Sequence, residues 1–100
     1  MRVYRVRYPP EAAGRTRKLH PDIRKQIRAA AEHLAETPLE GHALQAELSG
    51  LRSCRVGRYR VIYRINDAER AIEILIAGPR RDIYEELRKN LLRDRSRGGR

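Results

Sequence analysis

Between Leu48 and Asn66 the chain carries Arg52, Arg55, Arg58, Arg60 and Arg64 and not one Asp or Glu. A guanidinium is a planar fork of N–H donors that grips two oxygens of one phosphate together. This acid-free stretch is therefore a candidate phosphate-binding surface. Arg80 and Arg81 extend it farther along the chain, with Tyr84 just beyond. The balance of 23 basic to 13 acidic residues leaves a formal charge of +10, a field that attracts polyanions, of which nucleic acid is the commonest inside a cell. With 20 Arg against 3 Lys, a general arginine bias is the competing reading of the total charge. It does not account for the local absence of acids.

The elements that must position these groups follow from periodicity. Tyr4, Val6 and Tyr8 alternate with Arg5 and Arg7, a strand with one apolar face. Pro10 can open a short helix reaching about Leu19. Ile23, Ile27, Ala30, Ala31 and Leu34 form one stripe of a second helix running from Pro21 to about Glu36. Leu39 to Gly50 reads as a loop with one helical turn. Three strands follow: one holding Ser53 to Val56, one from Tyr59 to Ile65 after a Gly57-Arg58 turn, and one through Ile72, Ile74 and Ile76 that Gly78-Pro79 breaks. If Tyr59, Val61, Tyr63 and Ile65 face the helices, Arg60 and Arg64 project from the other side. Arg55 joins them from the neighbouring strand, and Arg80 and Arg81 return over the same face. The competing reading is a solvated sheet face decorated with arginine.

A last helix spans about Asp82 to Arg93, with Ile83, Leu87 and Leu91 on one face and Asp82, Glu85 and Glu86 suiting its positive N-terminal end. The order β-α-α-β-β-β-α predicts a small single α+β domain over residues 1–93, with an antiparallel-type sheet and helices packed on one face, and a flexible basic tail over 94–100. Cys54, the only cysteine, excludes an intrachain disulfide and a Cys-rich zinc site, and alternation with Val56 makes it a buried small hydrophobe. Tyr59 and Tyr63 read as core. With no secretory run and no membrane span, a reducing cytoplasm is the expected location.

The run LRSCRVGRYRVIYRIND, followed by IEILIAGPRRDIY, resembles the RelE/ParE toxin superfamily of type II toxin–antitoxin systems. The resemblance rests on Arg55-Val56-Gly57, Tyr59-Arg60, Val61-Ile62-Tyr63, Gly78-Pro79-Arg80 and Tyr84, and the element order over residues 3 to 92 agrees with it. For the RelE branch it implies a metal-independent, cofactor-free endoribonuclease that cuts mRNA in the ribosomal A site. Carried over by motif, the working residues are Arg55, Arg60, Arg80 and Tyr84, with Arg52, Arg58, Arg64 and Arg81 as further RNA contacts. Two positions depart from the pattern: Ser53 stands where many members have a basic residue, and Pro79 sits inside the Gly-x-Arg segment. The resemblance also implies a cognate antitoxin, adding a strand to a sheet edge or laying a helix in a helix–sheet groove against Ile83, Leu87 and Leu91, with a heterotetramer or larger complex among the assemblies.

Metal-free cleavage needs the RNA 2′-hydroxyl in line with phosphorus, a proton acceptor, stabilisation of phosphorane charge and a donor to the leaving oxygen. Arg60 and Arg80 suit the charge, but a guanidinium with pKa above ~12 is a poor proton shuttle. A phenol such as Tyr84, ordinarily near 10, contributes to proton transfer if neighbouring arginines lower that value, or stacks on a base instead. His20, at the helix junction, His33, on the second helix, and His42, in the loop, lie away from the predicted face and read as exposed or capping. Slow cutting of naked RNA is the expectation. Two other functions stay open: a ParE-type inhibitor of DNA gyrase, and a catalytically inactive homologue that binds antitoxin or nucleic acid.

Overall fold

Prolines punctuate the first half of the chain. Strand β1, Arg5–Arg7, stops before Pro9, and Pro10 occupies the first turn of helix α1, Pro10–Arg17, which ends two residues short of the expected Leu19. Helix α2 runs Pro21–Glu36, the span its apolar stripe predicts. His20 caps it, its Nδ1 accepting from the Asp22 amide at 3.1 Å, and both the amide and Oγ1 of Thr37 close it on the His33 carbonyl at 3.0 Å. These elements belong to a computed structural model that describes residues 4–79 and 82–89.

The remaining strands are β2 (His42–Ala43), β3 (Arg52–Val56), β4 (Tyr59–Asn66) and β5 (Ala71–Pro79), and a helix, α3, occupies residues 82–89. The five strands make one sheet in the order β1-β5-β4-β3-β2. It is mixed: β1 runs parallel to β5 and every other pairing is antiparallel. The stretch expected to be a loop contains the short edge strand β2 and two 3₁₀ turns, Pro38–Glu40 and Ala46–Leu48. Gly57, at φ +60°, and Arg58 turn β3 into β4, as the spacing predicts.

Each face of the sheet has its own core. On one, Ile27, Ala31 and Leu34 of α2 bury against Val61, Tyr63, Ile72, Ile74 and Ala77. On the other, Ile83 and Leu87 of α3 pack with Leu48, Leu51, Ile62 and Ile76. The expectation that all helices share one face is corrected here. Helix α2 covers one side and α3 the other, because β4 is apolar on both faces where Val61, Ile62 and Tyr63 follow one another.

Strand β5 departs from simple alternation. Ile62 pairs with Ile76 but Tyr63 pairs with Ile74, so Leu75 is an extra, bulged residue. The bulge flips the parity: Ile72 and Ile74 face α2, and Ile76 joins the α3 core rather than continuing their row. Nor do Gly78 and Pro79 break the strand, since both stay paired with Arg60 and Tyr59. Strand β1 covers only Ala71–Glu73, so the rest of β5 has a free edge on which a proline's missing N–H is tolerated. Among the described residues no helix is long and apolar enough to cross a membrane. Leu91, the boundary at residue 93 and the tail over 94–100 lie outside them.

Candidate functional site

The β3–β4 hairpin brings its arginines together by register. Arg55 lies directly opposite Arg60, and Ser53 opposite Ile62, so Ser53, Arg55, Arg60 and Ile62 share the face that α3 packs against. Arg60 reaches diagonally across the hairpin, and its Nη1 donates to Ser53 Oγ at 3.0 Å. Ser53 Oγ in turn shares a hydrogen bond with the hydroxyl of Tyr84 at 3.1 Å. Tyr84 stands in the first turn of α3, neighbour to Ile83, whose burial with Leu87 seats that helix on the sheet. Arg60 pairs across β4–β5 with Gly78, where an added Cβ would meet Ile83 Cδ1 at 3.5 Å. Ile83 of α3 therefore lies at ordinary van der Waals range from this position.

The result is a line of three polar side chains, Arg60–Ser53–Tyr84, at the hairpin end of a face whose middle is filled by apolar packing. Ser53 is 1% exposed, whereas Arg60 and Tyr84 are half-buried. The Nε of Arg60 is buried with no hydrogen-bond partner among the described residues. Arg55 and Arg58 are exposed at the hairpin and its turn, and no described side chain pairs with either. These arrangements leave guanidinium capacity for an incoming anion.

Other expected phosphate ligands are differently employed. Arg52 points to the opposite face with Tyr63, its register partner, and its Nη2 donates to the carbonyls of Leu39 at 3.0 Å and Gly41 at 2.7 Å. It holds the loop before β2, because residues of odd and even number on one strand cannot share a face. Arg64 does lie on the α3 side, but Glu73 takes both its Nε, at 2.8 Å, and its Nη2, at 2.6 Å. Arg7 also donates to Glu73, and Asn66 adds a contact at 3.3 Å. These partners, Arg7 first and then Arg64, hold the Glu73 carboxyl down at about 2. The far end of the face is thus an internal ion cluster linking β1, β5 and β4. Arg80 and Arg81 lie outside the described residues.

The histidines sit elsewhere, as expected: His20 caps α2, His33 bonds Glu40 at 2.9 Å, and His42 is exposed on β2. Tyr63 is core, its hydroxyl donating to the Pro38 carbonyl at 2.7 Å and accepting from the Gly41 amide at 3.0 Å. Cys54 is half-buried rather than buried, at the margin of the α2 core. Burial pushes its thiol pKa up, which favours the neutral form. Ile83 and Leu87, expected to offer an apolar face to a partner, are spent within the fold. Sequence reasoning treated Ser53 as a lost basic contact and missed its part as the junction of Arg60 and Tyr84. The available signal was its place two residues before Arg55, on the same strand face.

The family described as ParE toxin of type II toxin-antitoxin system, parDE, matches residues 4–84 of the chain. Toxin RelG of Mycobacterium tuberculosis is 39% identical over 83 residues, which cover 81% of this chain and 95% of that protein. The toxin-antitoxin complex RelBE2 from the same organism contains a chain of similar structure, with a TM-score of 0.73 at 36% identity, covering 78% of this chain and 99% of that one. A mutant of the E. coli toxin RelE in the free state has a TM-score of 0.73 at 20% identity over 88% of this chain and 97% of that chain, a likeness of fold.

Proposed function

This chain belongs to the ParE toxin family of type II toxin–antitoxin systems, within the RelE/ParE superfamily, and from that premise we propose that it is a ribosome-dependent endoribonuclease that cuts mRNA and so stops translation. The observation that carries this reading is the junction at Ser53, which sets a guanidinium and a phenol one hydroxyl apart on a basic face. In it Arg60 stabilises the phosphorane charge, and Tyr84 serves the leaving oxygen or stacks on a base. Arg55 and Arg58 hold neighbouring phosphates, and Arg80 and Arg81 are assigned by motif to the same phosphodiester. Among the described residues no histidine or carboxylate is bonded to Arg60, Ser53 or Tyr84, so the site is poor in proton shuttles. That poverty supports dependence on the ribosome, which would hold the RNA in line and so supply much of the rate.

The same proposal includes a cognate antitoxin as partner and a cytoplasmic location, where ribosomes and mRNA are. Solved relatives are described as toxin–antitoxin complexes, which supports the antitoxin. The test is primer extension on mRNA from a cell-free translation reaction. Cuts in register with codons are expected from the wild type, and Arg60→Ala is expected to lower their rate by about 100-fold or more. The ParE name of the matched family keeps one other reading open, the inhibition of DNA gyrase that the sequence resemblance implies as its alternative. A loss of supercoiling activity, with mRNA left intact, would replace the ribonuclease with that function.

A further inference from the structure

The Ser53 hydroxyl has one proton to give, and Arg60 already fills one of its acceptor positions at 3.0 Å. Its only other partner among the described residues is the Tyr84 oxygen, at 3.1 Å. If Tyr84 donated to Ser53, the serine proton would be left without an acceptor in a residue 1% exposed, an arrangement folded proteins avoid. The satisfied arrangement runs one way: Arg60 donates to Ser53, and Ser53 donates to Tyr84. The phenol's own proton then has no acceptor among the described residues and is directed away from Ser53.

We infer that Ser53 is a positioning residue of the ribonuclease site, aiming the Tyr84 hydroxyl at the bound phosphodiester and tying its orientation to the Arg60 guanidinium. This rests on the ribonuclease reading above. A side chain whose hydroxyl is held from one side presents its proton in one direction, whereas a free phenol rotates that proton about the C–O bond. Because Ser53 is buried, it touches no substrate and acts through Tyr84 and Arg60 alone. Ser53 thus does more than fill the space of an absent basic residue. It makes two half-buried groups from different elements, a strand and a helix, into one unit.

The test is a double-mutant cycle on ribosomes programmed with a short mRNA, using the full chain and measuring kcat and KM. Ser53→Ala is expected to lower kcat by roughly 10- to 100-fold with KM little changed, because the lost interaction serves the transition state. Tyr84→Phe is expected to lose at least as much, and the double variant no more than Tyr84→Phe alone. Ser53→Thr, which keeps the hydroxyl, is expected to recover most of the rate. Should Ser53→Ala unfold, Ser53→Cys fills the same space with a weak donor and is judged by the same outcomes. Wild-type kcat in Ser53→Ala (or in Ser53→Cys where it takes that variant's place), or additive losses in the double variant, would overturn the inference while leaving the ribonuclease intact. A wild type that arrests translation without cutting mRNA would overturn both.

Discussion

Glu73 and Ser53 are the two polar side chains buried among the described residues, and neither stands out in the sequence. Glu73 occupies an ordinary alternating position in a strand; what makes it special is Arg7, 66 residues away, arriving beside Arg64. No local pattern encodes such a meeting. Its consequence is a pH dependence with a definite sign. The carboxyl titrates at about 2 in the folded protein against 4.5 as its ordinary value, so the ionised form favours folding. That contribution is complete above about pH 5, shrinks as pH falls through 4.5, and is gone below 2. Glu73→Gln is expected to destabilise the protein by about 1.5–3 kcal/mol near neutrality, the range for hydrogen bonds to a charged group. Urea titrations at several pH values should show the gap between variant and wild type closing as the solution is acidified. Arg7 and Arg64 are partly solvated, 37% and 53% exposed, which keeps the loss below that of a fully buried pair.

At the scale of elements, α2 was legible because its apolar residues recur on one stripe between a proline start and a Thr-Pro stop, and both ends fall where those residues predict. The Tyr59-to-Ile65 strand was legible for the same reason with a period of two. Strand β5 was not, because Ile74, Leu75, Ile76 and Ala77 are all apolar and a bulge among them leaves no mark on the pattern. The position of α3 was hidden too: its own stripe shows that it packs, not on which side. The run Val61-Ile62-Tyr63, apolar in both phases, was the signal for a sheet covered on both faces. Ile76 joins the two problems, since only the bulge turns it toward α3. Ile76→Ala is therefore expected to lower stability by about 2–5 kcal/mol and to loosen α3. Hydrogen exchange at α3 amides should accelerate more than exchange in α2. Equal acceleration in both helices would show that Ile76 belongs to one undivided core.

For the whole molecule, the charge of +10 sets a long-range attraction to RNA, but the arginines that produce it are not equivalent. Arg55 and Arg58 are exposed and unpaired among the described residues, Arg64 is engaged by Glu73, and Arg52 is tied to backbone carbonyls on the opposite face. Binding to single-stranded RNA or to ribosomes should weaken steeply with salt. Replacing Arg55 or Arg58 by Ala should each reduce the slope of log affinity against log salt by about 0.7, the increment for one phosphate contact on a single strand. Arg64→Ala should change it less. Arg52→Ala should leave the slope alone and lower the melting temperature. The composition led to the expectation of a polyanion binder, and alternation put Arg55, Arg60 and Arg64 on one face, where the register has them. Which of them were already occupied depended on partners distant in the chain.

The parallel pairing of β1 with β5 has a bearing on how this protein comes to be made. Arg7 waits for Glu73, so β1, made before the other four strands, is among the last to find its place. Ser53, Arg60 and Tyr84 emerge in that order, and Tyr84 follows every strand of the sheet. On the ribonuclease reading, a growing polypeptide has no assembled centre until Tyr84 has emerged. On the same reading competence waits for α3, which would give an antitoxin an interval in which to meet the chain before its site is complete.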